Sequence, residues 1–398
     1  MEPIFTPEQL AEIEAYHLPY YIRSAMSPFI TLGFLALVLG PLNKPFFRLS
    51  QAMATWLDDR FAFLRTAPVS RAFFRVMDKM WGEPGWGTAV FFALCVDLSF
   101  KIALLPLNIY FDYIREHLYG MSTYTPLTYT IDVLKGTVAD AVSTGALVLG
   151  LYGLARFLPR RWWLVLGVPV SLLMLVSSAI DPYRSRVFFE QTPLETGPLR
   201  TRLTELMARA NVTFSDVVVE KTSVASKRLQ AYFAGQGPTR TIVLNDVILQ
   251  SLTEDEILAA VAHEAGHANE SKWPSRIGSS IAMVAFLFAV HQILRLAAAR
   301  GWFGTTRFAD IRTLPLLWLL LFIVMTSSAP ISAAYSRERE READRFALRL
   351  TQDPTTFRRM LVKAARVNKM DPEPPLWIVI KGMTHPPIGE RIASVPAP

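Results

Sequence analysis

The sequence predicts a mainly α, polytopic membrane helix bundle of about six spans that carries a small α+β domain. Three observations predict it. Of 398 residues, 51% are hydrophobic and only 19% charged, and the mean hydropathy is positive, +0.27; a water-soluble domain of this length is normally more polar. Six separate stretches approach the roughly 20 apolar residues that a bilayer-crossing helix requires. A polar interval at 182–276 and a polar tail at 335–398 show strand-like and helix-like periodicities of their own.

Composition also excludes several classes. The single cysteine, Cys95, rules out an intrachain disulfide and a cysteine-based metal cluster. A net charge of +7 raises the question of nucleic acid. The arginines are scattered between apolar stretches rather than gathered on one domain, however, which fits contact with anionic membrane lipid and no nucleic-acid partner.

Residues 1–24 carry Glu2, Glu8, Glu12 and Glu14 and lack the basic start and apolar core of a signal peptide, so no cleavable targeting segment is expected. The region 25–181 is expected to hold spans at about 25–44, 87–110, 137–157 and 162–181. Its loop at 45–86 is basic, with Arg48, Arg60, Arg65, Arg71, Arg75 and Lys79, and amphipathic enough to lie on a membrane surface. Within the second span Asp97 and Lys101 stand at i, i+4, where mutual neutralisation lowers the cost of burial, so an ion pair is expected.

The segment 182–276 reads as a soluble unit. It offers a helix over Pro198–Ala210, a strand at Val217–Glu220, and a hairpin from Leu229–Gly235 through a turn at Gln236–Pro238 to Thr241–Leu244. Ser251–Glu256 supplies capping residues and early acidic charge for a helix running to His267. Two further spans, at about 277–299 and 314–334, precede the C-terminal segment 335–398. His291, inside the fifth span, has nothing near it to complete a site and reads as a packing residue.

The helix before the fifth span contains His263-Glu264-Ala265-Gly266-His267. Histidines four residues apart project from one helix face, and two neutral imidazoles there can hold one Zn²⁺. Glu264 can reach a water on the open metal position and take its proton, while the metal lowers that water's pKa and polarises a carbonyl. This is the chemistry of a zinc metalloprotease.

Such a site needs a third ligand. The run from Tyr335 to Asp344 alternates Arg and Glu, which by itself describes a solvated helix face. A carboxylate on a later helix is nevertheless a common third ligand for hydrolytic zinc. Glu340 and Asp344 are one turn apart, so one can bind metal while the other orients a histidine. Two crossings, spans five and six, return the chain to the side of the histidines. In Thr384-His385-Pro386-Pro387, His385 can donate a hydrogen bond to an oxyanion, as can Arg391; a plain exposed turn is the other reading.

Together, His263-Glu264-x-x-His267, Ser336-Arg337-x-x-Glu340-x-x-Ala343-Asp344, and His385-Pro386-Pro387 with Glu390-Arg391 resemble the type I CAAX prenyl protease family of integral-membrane zinc metalloendopeptidases. The likeness extends to Tyr113-Ile114-x-Glu116-x-x-x-Gly120, to Asp181-Pro182 with Pro193-Leu194, and to Ser226-Lys227-Arg228-x-x-Ala231-Tyr232-Phe233-x-Gly235 followed by Ile242-Val243-Leu244-x-Asp246. It implies one zinc per chain held by His263, His267 and Glu340, with Glu264 as general base and Asp344 behind the ligands. His385 and Arg391 would assist the transition state or bind substrate. The strand Gln230-Ala231-Tyr232-Phe233 would pair with an extended peptide substrate. The spans would enclose a chamber within the membrane, with the catalytic site at its cytoplasmic end.

The sequence also departs from that family. Six expected spans stand against seven in eukaryotic members, Gln230 replaces the family's asparagine, and no long acidic insertion precedes the zinc helix. These features imply a compact bacterial relative in the inner membrane. The expected function is zinc-dependent hydrolysis of hydrophobic peptides, prenylated ones included. The alternatives are a quality-control protease for membrane proteins and a non-proteolytic membrane scaffold. The sequence sets no oligomeric state.

Overall fold

The computed structural model describes residues 5–82, 85–176, 189–305 and 307–396. Five helices in it are long and apolar enough to cross a membrane: Pro7–Leu39, Trp86–Leu118, Pro126–Phe157, Trp273–Arg300 and Ile311–Thr351. They overlap five of the six expected stretches. The described part of the stretch at 162–181 is an apolar helix, Trp162–Val176. The remainder of that stretch, together with the Asp181-Pro182 motif, lies outside the described residues.

Local chemistry sets where these helices start and stop. Thr6, Thr125 and Thr253 each cap an N-terminus, accepting from the backbone N–H three residues on, and Gln9, Thr128 and Glu256 return a bond to the cap. Each box satisfies two backbone donors that a helix start leaves without intrahelical partners. Gly301 ends Trp273–Arg300 at φ 64°, a left-handed conformation that glycine adopts without strain. Pro106 cannot donate within Trp86–Asn108, and the helix then widens into a π-helical stretch at Ile109–Arg115.

The buried side chains of the long helices gather at their two ends. One hydrophobic core gathers Phe5, just ahead of the first helix, and Ile13 within it with the soluble segments and Ala347 of the last long helix. A second gathers Val38, Phe92, Tyr152, Trp162, Leu294 and Leu317 at the opposite end, where Met77 and Trp81 of the helix Pro68–Trp81 and the turn at 309–311 also enter. Between them, the described residues 17–34, 97–110, 126–144, 273–286 and 318–332 include no buried position. Over their central stretches the spans meet through sparse contacts, such as the Phe34–Phe100 ring pair at 4.7 Å, and not through a buried core.

Polar contacts at the far end seal that second core. Arg156 donates to the carbonyls of Trp81 (2.5 Å) and Ala309 (3.0 Å), and Asn43 donates to those of Val38 and Arg312. His291 sits buried there and accepts from the Trp162 indole at 3.2 Å. The expected Asp97–Lys101 pair forms at 2.9 Å, and Lys101 also reaches Asp140 of the neighbouring span at 3.0 Å.

The soluble unit is built on a four-stranded sheet: β1 (Gln191–Pro193), β2 (Asp216–Glu220), β3 (Ala231–Ala234) and β4 (Thr241–Asn245), in the order β1-β2-β4-β3. β2 and β4 run parallel; β3 pairs antiparallel with β4. The expected hairpin and the expected strand are both present, and β3 lies at an edge. Ala231 and Phe233 face the catalytic-end core, and Tyr232 faces the other side with Val218 and Val243.

Candidate metal centre and active site

The motif lies in the helix Glu254–Asn269, which packs lengthwise on the last long helix, Leu314–Thr351. Gly266 makes that approach possible. A Cβ added there would lie 2.8 Å from the Ala343 Cα and 3.0 Å from its Cβ, so only two small residues fit at this crossing. The N-terminus of the motif helix is tied down separately. Glu256, fully buried, closes the capping box and pairs with Lys363 at 2.7 Å and Arg359 at 3.0 Å.

This crossing brings His263, His267 and Glu340 together, with one donor atom from each lying within 4.8 Å of the others. His267 Nε2 is 3.2 Å from Glu340 Oε1, and His263 Nε2 is 3.4 Å from Glu340 Oε2. Ligands of a tetrahedral zinc at about 2.1 Å from the metal lie about 3.4 Å apart, so both spacings fit an ion between these atoms. Glu340 Oε2 is buried without a hydrogen-bond partner, as a ligand oxygen would be.

The electrostatics point the same way. Burial works to lower the pKa of His263, but Asp344 and Glu340 outweigh it and raise the value to about 9. His267 is likewise raised, Glu340 overcoming burial. The centre attracts positive charge, whether as a proton or as a metal ion. Glu264, the neighbour of His263, has its pKa raised chiefly by burial. Burial lowers that of His385, against the pull of Glu340.

Each histidine has a carboxylate behind it. His263 Nδ1 meets Asp344 Oδ1 at 2.8 Å, and Arg391 holds Asp344 with two bonds, at 2.7 and 2.9 Å. His267 Nδ1 meets Glu270 Oε1 at 2.9 Å, and Arg339 holds Glu270 Oε2 at 3.0 Å. Sequence reasoning named Asp344 and Arg391 but missed Glu270 and Arg339. Glu270 follows the helix at its C-cap and reads as an ordinary surface acid; its i+3 spacing from His267 was the available signal.

The structure brings His385 to the same point, with Nε2 3.3 Å from Glu340 Oε1, although its side chain stays 55% exposed. Gln230 to Phe233 stand slightly apart from the donors. The Gln230 backbone is pinned on both sides by Asn245, and β3 packs beside the motif helix. Tyr232 donates to Glu220 at 3.2 Å, away from the centre.

Comparison with known proteins decides the family. A family model described as "Peptidase family M48" matches residues 193–398, and one described as "CAAX prenyl protease N-terminal, five membrane helices" matches residues 45–186. The chain belongs to peptidase family M48. It is thus an integral multi-pass membrane metalloendopeptidase of the CAAX prenyl protease-like kind.

Among this peptidase's relatives is the "Uncharacterized metalloprotease YhfN" of Bacillus subtilis, 28% identical over 76% of this chain and 71% of that one. The "Probable CAAX prenyl protease 1" of Schizosaccharomyces pombe is 31% identical over 44% of this chain, but the match spans only 37% of the yeast protein. The crystal structure of S. mikatae Ste24p superposes with a TM-score of 0.72 over 99% of this chain and 100% of that one, at 20% identity. The peptidase therefore shares that fold.

Proposed function

We propose that this peptidase is zinc-dependent and hydrolyses hydrophobic peptides, prenylated ones included, at the mouth of its membrane hollow. The observation that carries the reading is the meeting of His263, His267 and Glu340 beside Glu264, at the end of a bundle whose described spans bury no residue over their central stretches. His263, His267 and Glu340 would hold the metal, which when bound would lower the pKa of a water and act as a Lewis acid for the scissile carbonyl. Glu264 accepts the proton of the attacking water and returns it to the leaving amine as the C–N bond breaks. Asp344 fixes the orientation of His263. His385 and Arg391 donate hydrogen bonds to the oxyanion.

The free edge of β3 is the natural place for an extended substrate, whose backbone would add a strand beside Ala231, Tyr232 and Phe233. An apolar tail would then lie along the exposed apolar residues of the spans.

The test is hydrolysis of matched farnesylated and unmodified peptides by purified, zinc-loaded protein. Glu264→Ala is expected to lower kcat at least about 1,000-fold while zinc stays bound. Unchanged cleavage by that variant would refute the mechanism. Equal kcat/KM for the two peptides would remove prenylation from the reading.

A further inference from the structure

The centre holds two carboxylate-backed histidines, and only one of the two carboxylates lies within the motif set read from the sequence. We propose that Glu270, braced by Arg339, is the positioning residue for His267. The inference rests on the reading above, in which His267 binds a metal ion.

The geometry is that of a relay of fixed bonds. His267 presents Nε2 toward Glu340 at 3.2 Å and Nδ1 toward Glu270 at 2.9 Å. A carboxylate on Nδ1 keeps the proton there, leaves the Nε2 lone pair for the metal, and stops the ring from rotating. Glu270 can serve this way because it is itself held. Its side chain is largely buried, and its second oxygen accepts from Arg339 Nε at 3.0 Å. Arg339 precedes Glu340 on the same helix, so one backbone segment carries both the third ligand and the clamp on the second ligand's support.

The arrangement mirrors His263, Asp344 and Arg391, with one difference. Asp344 lies on the last long helix and bridges to the motif helix, whereas Glu270 lies on the motif helix's own C-cap and needs Arg339 to reach across. Arg339 also meets Glu342 at 2.5 Å, a more exposed acid that touches neither histidine.

The experiment measures zinc affinity by competition with a chromophoric chelator, and the visible spectrum of the cobalt-substituted protein, using the full chain in detergent. Glu270→Ala is expected to weaken zinc binding about 10- to 100-fold and to shift the cobalt band. Glu270→Gln, which keeps an acceptor for Nδ1–H, is expected to restore most of that loss. Arg339→Gln is expected to weaken binding by about threefold or more, and Glu342→Gln to leave it unchanged. His267→Ala separates the two readings. If it binds zinc like the wild type, the metal reading fails. If it loses zinc while Glu270→Ala binds within about twofold of the wild type, the positioning role alone is overturned. Should Glu270→Ala not fold, Arg339→Gln decides by the same measure, unchanged affinity and spectrum overturning the proposal.

Discussion

The two ends of the bundle are both packed, but they are packed for different purposes. At the catalytic end, charged groups are buried in pairs: His263 with Asp344 and Arg391, His267 with Glu270 and Arg339, and Glu256 with Lys363. Burial of ions is costly unless each is paired and hydrogen-bonded, and such pairing contributes fixed geometry more readily than net stability. At the far end the buried groups are chiefly aromatic and aliphatic; the polar contacts there are the Asp310–Arg312 ion pair at 2.7 Å, between residues two apart in one short turn, and bonds from Arg156 and Asn43 to backbone carbonyls. That end holds the spans together. The comparison predicts that substitutions at the catalytic end damage chemistry more than stability, and that those at the far end do the reverse.

Among changes that leave the candidate ligands and Glu264 in place, the largest effect is expected from Gly266→Ala. The added methyl cannot be accommodated at 2.8 Å from the Ala343 backbone, so the motif helix must move away from the helix that carries Glu340. A misplacement near 1 Å costs about 100-fold in rate, and kcat/KM for a peptide substrate is expected to fall at least that far. The helical circular dichroism of the protein in detergent should stay near the wild-type value. Activity within about threefold of the wild type would mean that the crossing is looser than the structure shows.

An intermediate effect is expected at the far end. Arg156→Ala leaves the Trp81 and Ala309 carbonyls without a charged donor and removes a guanidinium stacked 4.7 Å over the Trp81 ring. Hydrogen bonds to charged groups contribute about 1.5–3 kcal/mol each, so thermal unfolding in detergent should shift downward by an amount of that order. Below the unfolding transition, kcat/KM should stay within about twofold of the wild type. A large loss of activity at low temperature would break the division between the two ends.

How much of this was legible in the sequence follows from how local each signal is. The motif helix, its Thr253 cap, the β3–β4 hairpin and the convergence of Glu340 on the histidines are written in spacings of two to four residues, or in counting membrane crossings. The start of the first helix was not legible. Glu8, Glu12 and Glu14 look like a soluble leader, yet the helix begins at Pro7 and delivers Ile13 to the catalytic-end core. The far-end core was hidden because the residues that complete it between the spans, such as Trp81 and Ile311, come from connecting segments distant in sequence. Glu270 was hidden for a related reason: nothing in the sequence shows that Arg339 lies against it.

The smallest effect is expected between the two ends. Asp140 lies on Pro126–Phe157 in the stretch where the described spans bury nothing, with its side chain 66% exposed. A charge so placed in a membrane span faces water or a polar cavity rather than lipid. Its bond to Lys101 resembles a surface ion pair, typically about 0–1 kcal/mol. Asp140→Asn leaves Lys101 with Asp97, which is closer at 2.9 Å and more buried, so Lys101 is not stranded. Stability should change by less than about 0.5 kcal/mol, and the change should shrink further as salt is added. A loss comparable to that of Arg156→Ala would show that the middle of the bundle is a packed, dry region, and the contrast between closed ends and an open centre would have to be abandoned.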